Sequence, residues 1–220
     1  MSTTLATERT QIHRIPARGS YDRERVNAIL DEALICHVGF VHRDTPFVIP
    51  TTFVRVGDRL FVHGAAASRT LGAISDHPLC VTVTLLDGIV LARSAFHHSM
   101  NYRSVVILGR GTDVVGREEK LAVLEALVEK ISPGRSREVR GPNEKELRAT
   151  RMIALAIDEA SAKIREGGPV DDEEDMSQDV WAGHVPIALA ARAAIRNGAE
   201  NSHKAPVLSR FSSPLGVANS

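Results

Sequence analysis

Two stretches of the chain repeat their apolar residues at the spacing of an α-helix. The first follows Asp22, a residue type that caps helix N-termini well, and it predicts a helix over about residues 23–34. The second predicts an amphipathic helix over residues 117–131, which Pro133 and Gly134 would end. Polar residues fill the opposite face of both stretches, so we expect each helix to pack one side against a core.

Elsewhere the apolar pattern shortens to that of β-strands. The runs are short and rich in β-branched and aromatic residues, and they cover residues 35–41, 47–54, 59–63, 79–96, 102–115 and 152–157. Gly57-Asp58 and Asp87-Gly88 are typical of tight hairpin turns, and the second pair predicts two strands within residues 79–96. Five or six closely spaced strands joined by turns predict a mostly antiparallel, meandering barrel with flanking helices.

Both ends of the chain lack this patterning. Residues 1–19 are polar without periodicity and predict a flexible N-terminal arm. In residues 187–220 an alanine-rich stretch is a helix candidate, and the remainder predicts a disordered tail. No internal repeat is visible, so residues 20–186 are expected to form one domain.

The composition narrows the class of function. Lys plus Arg number 27, Asp plus Glu number 27, and only 4% of residues are aromatic, which argues against nucleic-acid binding. Cys36 and Cys80 lie in apolar runs without metal-ligand spacing and predict buried free thiols in a reducing compartment. No apolar stretch has the length of a membrane helix and no apolar leader is visible, so a cytoplasmic protein is expected.

The segment from His63 to the next predicted helix has the features of a phosphate site. A strand ends at His63, Gly64 lets the backbone turn, and Ser68-Arg69 stand at the start of a short helix. Backbone N–H groups, a hydroxyl and a guanidinium would then converge on one spot. The alternative is a serine N-cap followed by a surface arginine.

Two further segments are candidates for ligand contact. Pro50, Thr51 and Thr52 interrupt an apolar strand, and a proline there indicates an edge or bulge with backbone groups free for a planar polar ligand. Arg103 opens another apolar strand, where it is either a solvated strand end or a cation that a barrel would bring to Ser68-Arg69.

The sequence gives little support to metal or nucleotide-fold chemistry. His97 and His98 are adjacent, and neighbours on a strand point to opposite faces, so we predict no shared metal. Phosphate-binding loops, a dinucleotide fingerprint and a hydrolase nucleophile motif are also missing from the sequence. Trp181 is interpreted either as core packing or as an aromatic wall for a ligand.

Taken in order, the segments VIPTTFVRVGDRLFVHGAAASR and NYRSVVILGRG, followed by an amphipathic helix headed by acidic residues, resemble a known family. The chain is similar over about residues 20–163 to the pyridoxamine 5′-phosphate oxidase-like FMN-binding split barrels. Within them it resembles most the NimA-type nitroimidazole resistance branch, whose members are also described as flavin-nucleotide-binding proteins. The resemblance implies a six-stranded antiparallel split barrel working as a homodimer, with FMN at the subunit interface.

The same resemblance assigns roles to particular residues. Its cofactor-binding set comprises Pro50, Thr51, Thr52, His63, Gly64, Ser68, Arg69, Thr70, Arg103 and Ser104. Residues 68–70 match the S-R-K segment that holds the FMN phosphate, with threonine at the lysine position. Arg103-Ser104 open a match to the R-x-V-x-x-x-G phosphate motif. Residues 50–52 match the strand beside the flavin ring, and residues 63–64 match the neighbouring strand end.

The implied function is an FMN-dependent oxidoreductase of small molecules, with nitroaromatics among the candidate substrates. The substrate-reading pattern of the true oxidases is not recognisable, so pyridoxamine 5′-phosphate is not the expected substrate. One alternative is a non-enzymatic flavin- or haem-binding sensor, with His63, His97 or His98 as the axial ligand of a haem. A reductase dependent on the deazaflavin F420 is another. No side chain stands out as a general acid or base, and His63 is the candidate polar group near the ring.

Overall fold

The computed structural model of the protein describes residues 4–198 and Leu208. Within this part of the chain the residues group into two compact units. The larger unit takes the described residues within Met1–Leu85 and Asn101–Gly167, and the smaller unit takes those within Leu86–Met100 and Gly168–Ser220. The boundaries of the single domain expected over residues 20–186 stay a prediction.

Four α-helices and ten strands lie in the described residues. The helices are α1 (Arg23–Glu32), α2 (Arg69–Ile74), α3 (Arg117–Ile131) and α4 (Glu144–Ala149). The strands are β1 (Gly19–Ser20), β2 (Ile35–His42), β3 (Thr45–Val56), β4 (Arg59–Ala65), β5 (Pro78–Leu91), β6 (Ser99–Arg110), β7 (Thr112–Asp113), β8 (Thr150–Ala156), β9 (Ala160–Arg165) and β10 (Gly183–Pro186). Short 3-10 helices cover Glu8–Thr10, Pro16–Arg18, Ala95–His97, Arg135–Arg137 and Glu173–Ser177.

The two long helices form where the sequence pattern predicts them. Asp22 caps α1 by accepting a hydrogen bond from the backbone N–H of Arg25 at 2.8 Å. This helix ends two residues before the predicted end, because Ala33 takes an extended conformation and leads into β2. Helix α3 has the predicted bounds.

The sheet is antiparallel at every named pairing between strands. Its order is β1-β9-β6-β5-β2-β3-β4-β8-β7, and β10 pairs with β5. The expected class, mainly antiparallel β with flanking helices, is confirmed, whereas the expected count of six strands is wrong for the described chain. The additional strands include β1 and β7, which have two residues each and are too short to show alternation.

Two hairpin turns use left-handed backbone conformations. Gly57 has φ +59° between β3 and β4, as the sequence predicts. Between β2 and β3 the turn falls on Arg43 and Asp44, with φ of 49° and 60°, which is typical of a two-residue turn with positive φ at both central positions. Arg43 thus lies at the tip of this hairpin.

The turn predicted at Asp87-Gly88 is wrong. Strand β5 runs without a break from Pro78 to Leu91, and Gly88 pairs with Pro186 of β10. A Cβ on Gly88 would lie 2.9 Å from the carbonyl oxygen of Val185. The glycine therefore serves the close approach of a neighbouring strand rather than a reversal of the chain.

Three strands of the larger unit are buried on both faces. In β4, Leu60 and Val62 join the core cluster that includes α1, whereas Phe61 joins a second cluster under α3. The same alternation occurs in β8 and in the last part of β3, where Phe53 and Val54 face opposite clusters. The two core clusters of the larger unit therefore pack against opposite faces of these strands.

The described part of the N-terminal segment, from residue 4 onward, makes contacts with the rest of the larger unit. Leu5 is fully buried in the main core, and its carbonyl oxygen accepts a hydrogen bond from the backbone N–H of Ala160 at 3.0 Å. Arg9 forms an ion pair with Glu159. The expectation of a flexible arm is therefore wrong for these residues, because a single leucine in a polar segment gives no periodic signal of its tertiary contact.

The helix candidate after Pro186 does not form. Residues 187–198 have no helical turn, and the predicted tail beyond them lies outside the described residues except for Leu208. Isolated alanine-rich helices of this length are marginal without a packing face, and the side chain of Ile195 is almost fully exposed. Among the described helices, none has the length and apolarity needed to cross a lipid bilayer.

Candidate functional site

A small cavity in the larger unit brings together half of the predicted cofactor-binding residues. It has a volume of about 140 Å³ and is lined by Val38, Ile49, Pro50, Thr51, Val62, His63, Ser68, Thr70, Leu71 and Ile74. The predicted members are Pro50, Thr51, His63, Ser68 and Thr70. They come from β3, the end of β4 and the first turn of α2, so the association of these three segments is a property of the fold.

Helix α2 reaches this cavity because of two local features. Gly64 leaves room for it, since a Cβ there would lie 3.2 Å from Cδ1 of Leu71. Ser68 caps the helix, and its Oγ accepts a hydrogen bond from the backbone N–H of Leu71 at 3.3 Å. The capping interpretation of Ser68 is therefore correct, and the hydroxyl hydrogen is still able to donate to a ligand.

A larger cavity of about 570 Å³ adjoins the small one, since Ile49 and Thr70 line both. Its wall includes Phe40 and Phe47, a cross-strand pair whose rings stack with centroids 5.5 Å apart and an interplanar angle of 16°. Sequence reasoning missed this wall. The signal was two aromatic residues flanking the H-R-D-T turn, which places them opposite each other in a hairpin.

Two arginines beside the larger cavity are available to an anion. Arg43 and Arg69 line it, and both are exposed. Neither guanidinium has an ion-pair or hydrogen-bond partner among residues 4–198. By contrast, Arg55 is held by both carboxylate oxygens of Asp31. An arginine without a partner keeps its donors for a phosphate.

Arg103 and Ser104 lie elsewhere in the chain. Arg103 lines a separate cavity of about 380 Å³ and binds the carboxylate of Glu32 through two guanidinium nitrogens. The hydroxyl of Ser104 donates to the carbonyl oxygen of Lys163 at 3.2 Å. Thr52 and Gly64 line neither of the two adjacent cavities. The predicted cofactor-binding residues therefore do not all lie together within one chain. The cofactor-binding roles of Thr52, Gly64, Arg103 and Ser104 stay predictions.

His63 is the titratable group at the small cavity. It is half-buried, and desolvation by its surroundings lowers its pKa. The ring is therefore kept neutral at pH 7, as a hydrogen-bonding group rather than a fixed charge.

This burial predicts a pH dependence of stability. A histidine with a folded-state pKa below its unfolded value of about 6.5 stabilises the fold above that pH, and the contribution is lost as pH falls through the folded-state pKa. We expect the free energy of unfolding to fall less between pH 7.5 and 5 in His63→Gln than in the wild type, measured by urea denaturation. The exposed His77 provides the control, because His77→Gln should keep the wild-type dependence. Equal dependence in all three proteins would contradict the prediction.

The smaller unit contains the other histidines of interest. His97 lies in a 3-10 helix rather than a strand, so the argument from strand faces does not apply to it. Its Nε2 lies 3.0 Å from Oδ2 of Asp172, and ligand atoms of His97, Asp172 and Asp175 lie within 4.8 Å of one another. Nδ1 of His98 lies 2.9 Å from the carbonyl oxygen of Ser94. Trp181 is 65% exposed, so the core-packing interpretation is wrong.

Comparisons with known proteins place this geometry in context. The profile of the pyridoxamine 5′-phosphate oxidase family matches residues 22–164. A flavocytochrome from Azotobacter vinelandii is 38% identical, with a TM-score of 0.79 over 93% of this chain and 95% of its own. An FAD and haem binding protein from Mycobacterium smegmatis is 36% identical, with a TM-score of 0.83 over 89% of this chain and 97% of its own.

A more distant structure shares the fold. It comes from Bacteroides thetaiotaomicron, is described as a candidate 5-nitroimidazole antibiotic resistance protein, and is 19% identical with a TM-score of 0.56 over 66% of this chain and 86% of its own. No curated protein sequence matches the chain significantly. The profile match covers most of the larger unit, including the residues of both adjacent cavities, and the chain belongs to the pyridoxamine 5′-phosphate oxidase family.

Proposed function

We propose that this protein binds a flavin dinucleotide, with the flavin ring at the small cavity and the adenosine portion in the larger one. The observation that carries the proposal is that the two cavities are adjacent and share Ile49 and Thr70 in their walls. A mononucleotide would leave the larger cavity unused. The stacked pair of Phe40 and Phe47 offers an apolar surface of the kind that a purine ring packs against.

Charge supports the same arrangement. The phosphates of a dinucleotide carry negative charge between its two ring systems, and Arg43 and Arg69 line the larger cavity without protein partners. Thr70 lines both cavities. The S-R-K motif that this segment resembles has lysine at the position of Thr70. The Mycobacterium smegmatis relative is named for FAD, which favours FAD over the FMN expected from the sequence.

The ring site needs a second wall. A volume of 140 Å³ is below the roughly 300–1,000 Å³ of typical ligand pockets, so the small cavity holds only part of a flavin. The outward face of the β2–β3 hairpin exposes Ile35, Val41 and Val48 by 52%, 61% and 65%. Exposed apolar surface of this kind is typical of an interface. This face lies opposite the one on which Val38, Ile49 and Thr51 line the small cavity, and we propose that a second copy of the chain covers it.

A bound flavin supplies hydride and electron transfer, and the protein acts as an oxidoreductase of small molecules. The chain's own contribution is positioning. Pro50 and Thr51 line the ring end of the small cavity, and the neutral His63 offers a hydrogen bond there without adding charge. Both cysteines are free and support a reducing, cytoplasmic location.

Haem binding is the second candidate function. One relative is a flavocytochrome and another is named for FAD and haem, and each is more than a third identical over at least 89% of this chain. The smaller unit exposes many large apolar side chains, which suit the faces of a porphyrin. Flavin and haem together would make the protein a flavocytochrome.

The proposed flavin function is tested by titrating the purified, flavin-free protein with FAD and with FMN while following flavin fluorescence. We expect FAD to bind at least tenfold more tightly than FMN, with one FAD per chain and a dimer in light scattering. Equal affinities would overturn the dinucleotide assignment, and failure of both flavins to bind would overturn the flavin function. A screen of nicotinamide donors and nitroaromatic acceptors then follows.

A further inference from the structure

We propose that a cavity beside α1 binds a ligand other than the flavin, a phosphate monoester whose organic part carries hydroxyl groups. It is the cavity of about 380 Å³ to which Arg103 belongs, and it shares no lining residue with the two cavities of the proposed flavin site. This arginine cavity is lined by Ala17, Arg18, Gly19, Arg25, Ala28, Ile29, Arg103, Ile164 and Glu166. The proposal does not depend on flavin or haem binding.

The tertiary fold brings the three arginines of this cavity together. Strand β9 pairs with β1 on one side and with β6 on the other, and Arg103 of β6 lies directly opposite Ile164 of β9. Arg25 and Ile29 are four residues apart and therefore share one face of α1. Arg18 comes from the short 3-10 helix before β1. Three separate elements thus direct a guanidinium to one space.

Two of these arginines have no counter-ion in the described chain. The guanidinium groups of Arg18 and Arg25 form no ion pair or hydrogen bond there. The charge of Arg103 is instead balanced by Glu32, which binds two of its nitrogens. Arg18 is also partly buried, and a charge withdrawn from water without a partner costs free energy. An anion in the cavity would offset that cost.

A fourth arginine responds to the same excess of positive charge. Arg165 lies in sequence between the two lining residues Ile164 and Glu166 and is buried. Desolvation by burial, followed by the positive charge of Arg18, lowers the pKa of Arg165. The two guanidinium groups therefore repel each other. A bound anion would reduce this repulsion because it attracts both.

Charge and volume together indicate the class of ligand. A phosphate monoester carries nearly two negative charges at pH 7, which two arginines without partners would balance, and guanidinium groups bind phosphate oxygens in pairs. The volume of about 380 Å³ lies within the range of typical ligand pockets and leaves room for an organic part. Glu166 adds a carboxylate to the wall. It repels a second anionic group and accepts hydrogen bonds from hydroxyls, so the organic part is expected to be a sugar or another polyol.

The test is a calorimetric titration with ribose 5-phosphate at one fixed salt concentration. It is carried out on the protein loaded with FAD, whose phosphates fill the contacts proposed for the flavin, and on the protein without FAD. We expect one ribose 5-phosphate per chain in both cases, roughly tenfold tighter than inorganic phosphate, and no binding of ribose. The double variant Arg18→Ala with Arg25→Ala should bind the probe roughly 100-fold more weakly.

Two further variants separate the cavity from general attraction by charge. Arg14→Ala removes a positive charge from the same segment without touching the cavity lining, and it should bind ribose 5-phosphate as the wild type does. Glu166→Ala removes the repelling carboxylate. It should bind inorganic phosphate more tightly and lose the preference for ribose 5-phosphate over phosphate.

Three results would overturn the proposal. The first is a wild type that binds neither ribose 5-phosphate nor inorganic phosphate. The second is an Arg18/Arg25 variant with wild-type affinity for the probe, since binding would then lie elsewhere. The third is competition between FAD and the probe, or a loss of FAD affinity in that variant at wild-type stability, because the cavity would then belong to the flavin of a second copy.

Discussion

Replacing Arg43 and Arg69 together with alanine is expected to weaken FAD binding by roughly 100-fold or more. Each hydrogen bond between a guanidinium and a phosphate oxygen contributes about 1.5–3 kcal/mol, and every 1.4 kcal/mol is a factor of ten in affinity. Neither arginine has a protein partner in the described chain, so no folded-state ion pair is lost with it. The fold should therefore keep its stability while the ligand affinity falls.

The measurement is the dissociation constant for FAD from fluorescence titration, at one fixed salt concentration because charge contacts are screened. A control double variant, Arg135→Ala with Arg148→Ala, removes the same charge from residues that line neither of the two adjacent cavities. It should bind FAD like the wild type. If the Arg43/Arg69 variant also does so, the phosphates bind elsewhere.

The variant Arg103→Ala tests whether a second copy of the chain, in addition to the chain that holds the flavin, contributes a contact to the phosphate. Within its own chain Arg103 is held by Glu32 in a separate cavity, so it can contact the flavin only from a second copy. A loss of FAD affinity in Arg103→Ala would support its predicted role across a dimer interface.

Replacing Gly111 with alanine is expected to destabilise the protein by roughly 3 kcal/mol or more. An added Cβ would overlap the carbonyl oxygen of Ile74 and lie 2.8 Å from Cγ2 of Ile153. Both neighbours belong to packed elements, and the first is backbone, so neither can move away cheaply. The change also disturbs the contacts by which Gly111 holds the end of α2, where its carbonyl accepts from the N–H of Asp76 at 2.8 Å.

Urea denaturation gives the free energy of unfolding for this comparison. Gly141→Ala is the control, because a Cβ there meets no atom within 4 Å and Gly141 does not have a positive φ. It should change stability by less than about 0.5 kcal/mol. Similar stabilities of the two variants would contradict the packing described around Gly111.

The sequence correctly predicted those secondary-structure elements that are determined by residues close together in the chain. Helix α3 follows from its apolar spacing and from Pro133 and Gly134, and the β3–β4 hairpin follows from Gly57-Asp58. The Asp87-Gly88 turn was wrong because β10, almost a hundred residues later, pairs across Gly88. Leu5 and the absent helix after Pro186 likewise depend on tertiary packing, which no short window of sequence contains.

The features of the candidate site also fall into those that the sequence predicted and those that depend on tertiary structure. The resemblance predicted Pro50, Thr51, His63, Ser68 and Thr70, and the fold brings these residues to one cavity. The larger cavity beside it was not foreseen, because it depends on the register that stacks two phenylalanines across a hairpin. The contact between His97 and Asp172 was also invisible, since 75 residues separate them.

The burial of β4 on both faces has a consequence for the thermodynamics of ligand binding. Its buried side chains are held by two cores at once, and His63, two residues before the end of the strand, lines the small cavity. A wall fixed in this way loses little conformational entropy when a ligand arrives, because folding has already ordered it. The ring end of the proposed site is thus preorganised, whereas the exposed guanidinium groups of Arg43 and Arg69 have no partner in the described chain that would order them before a ligand binds.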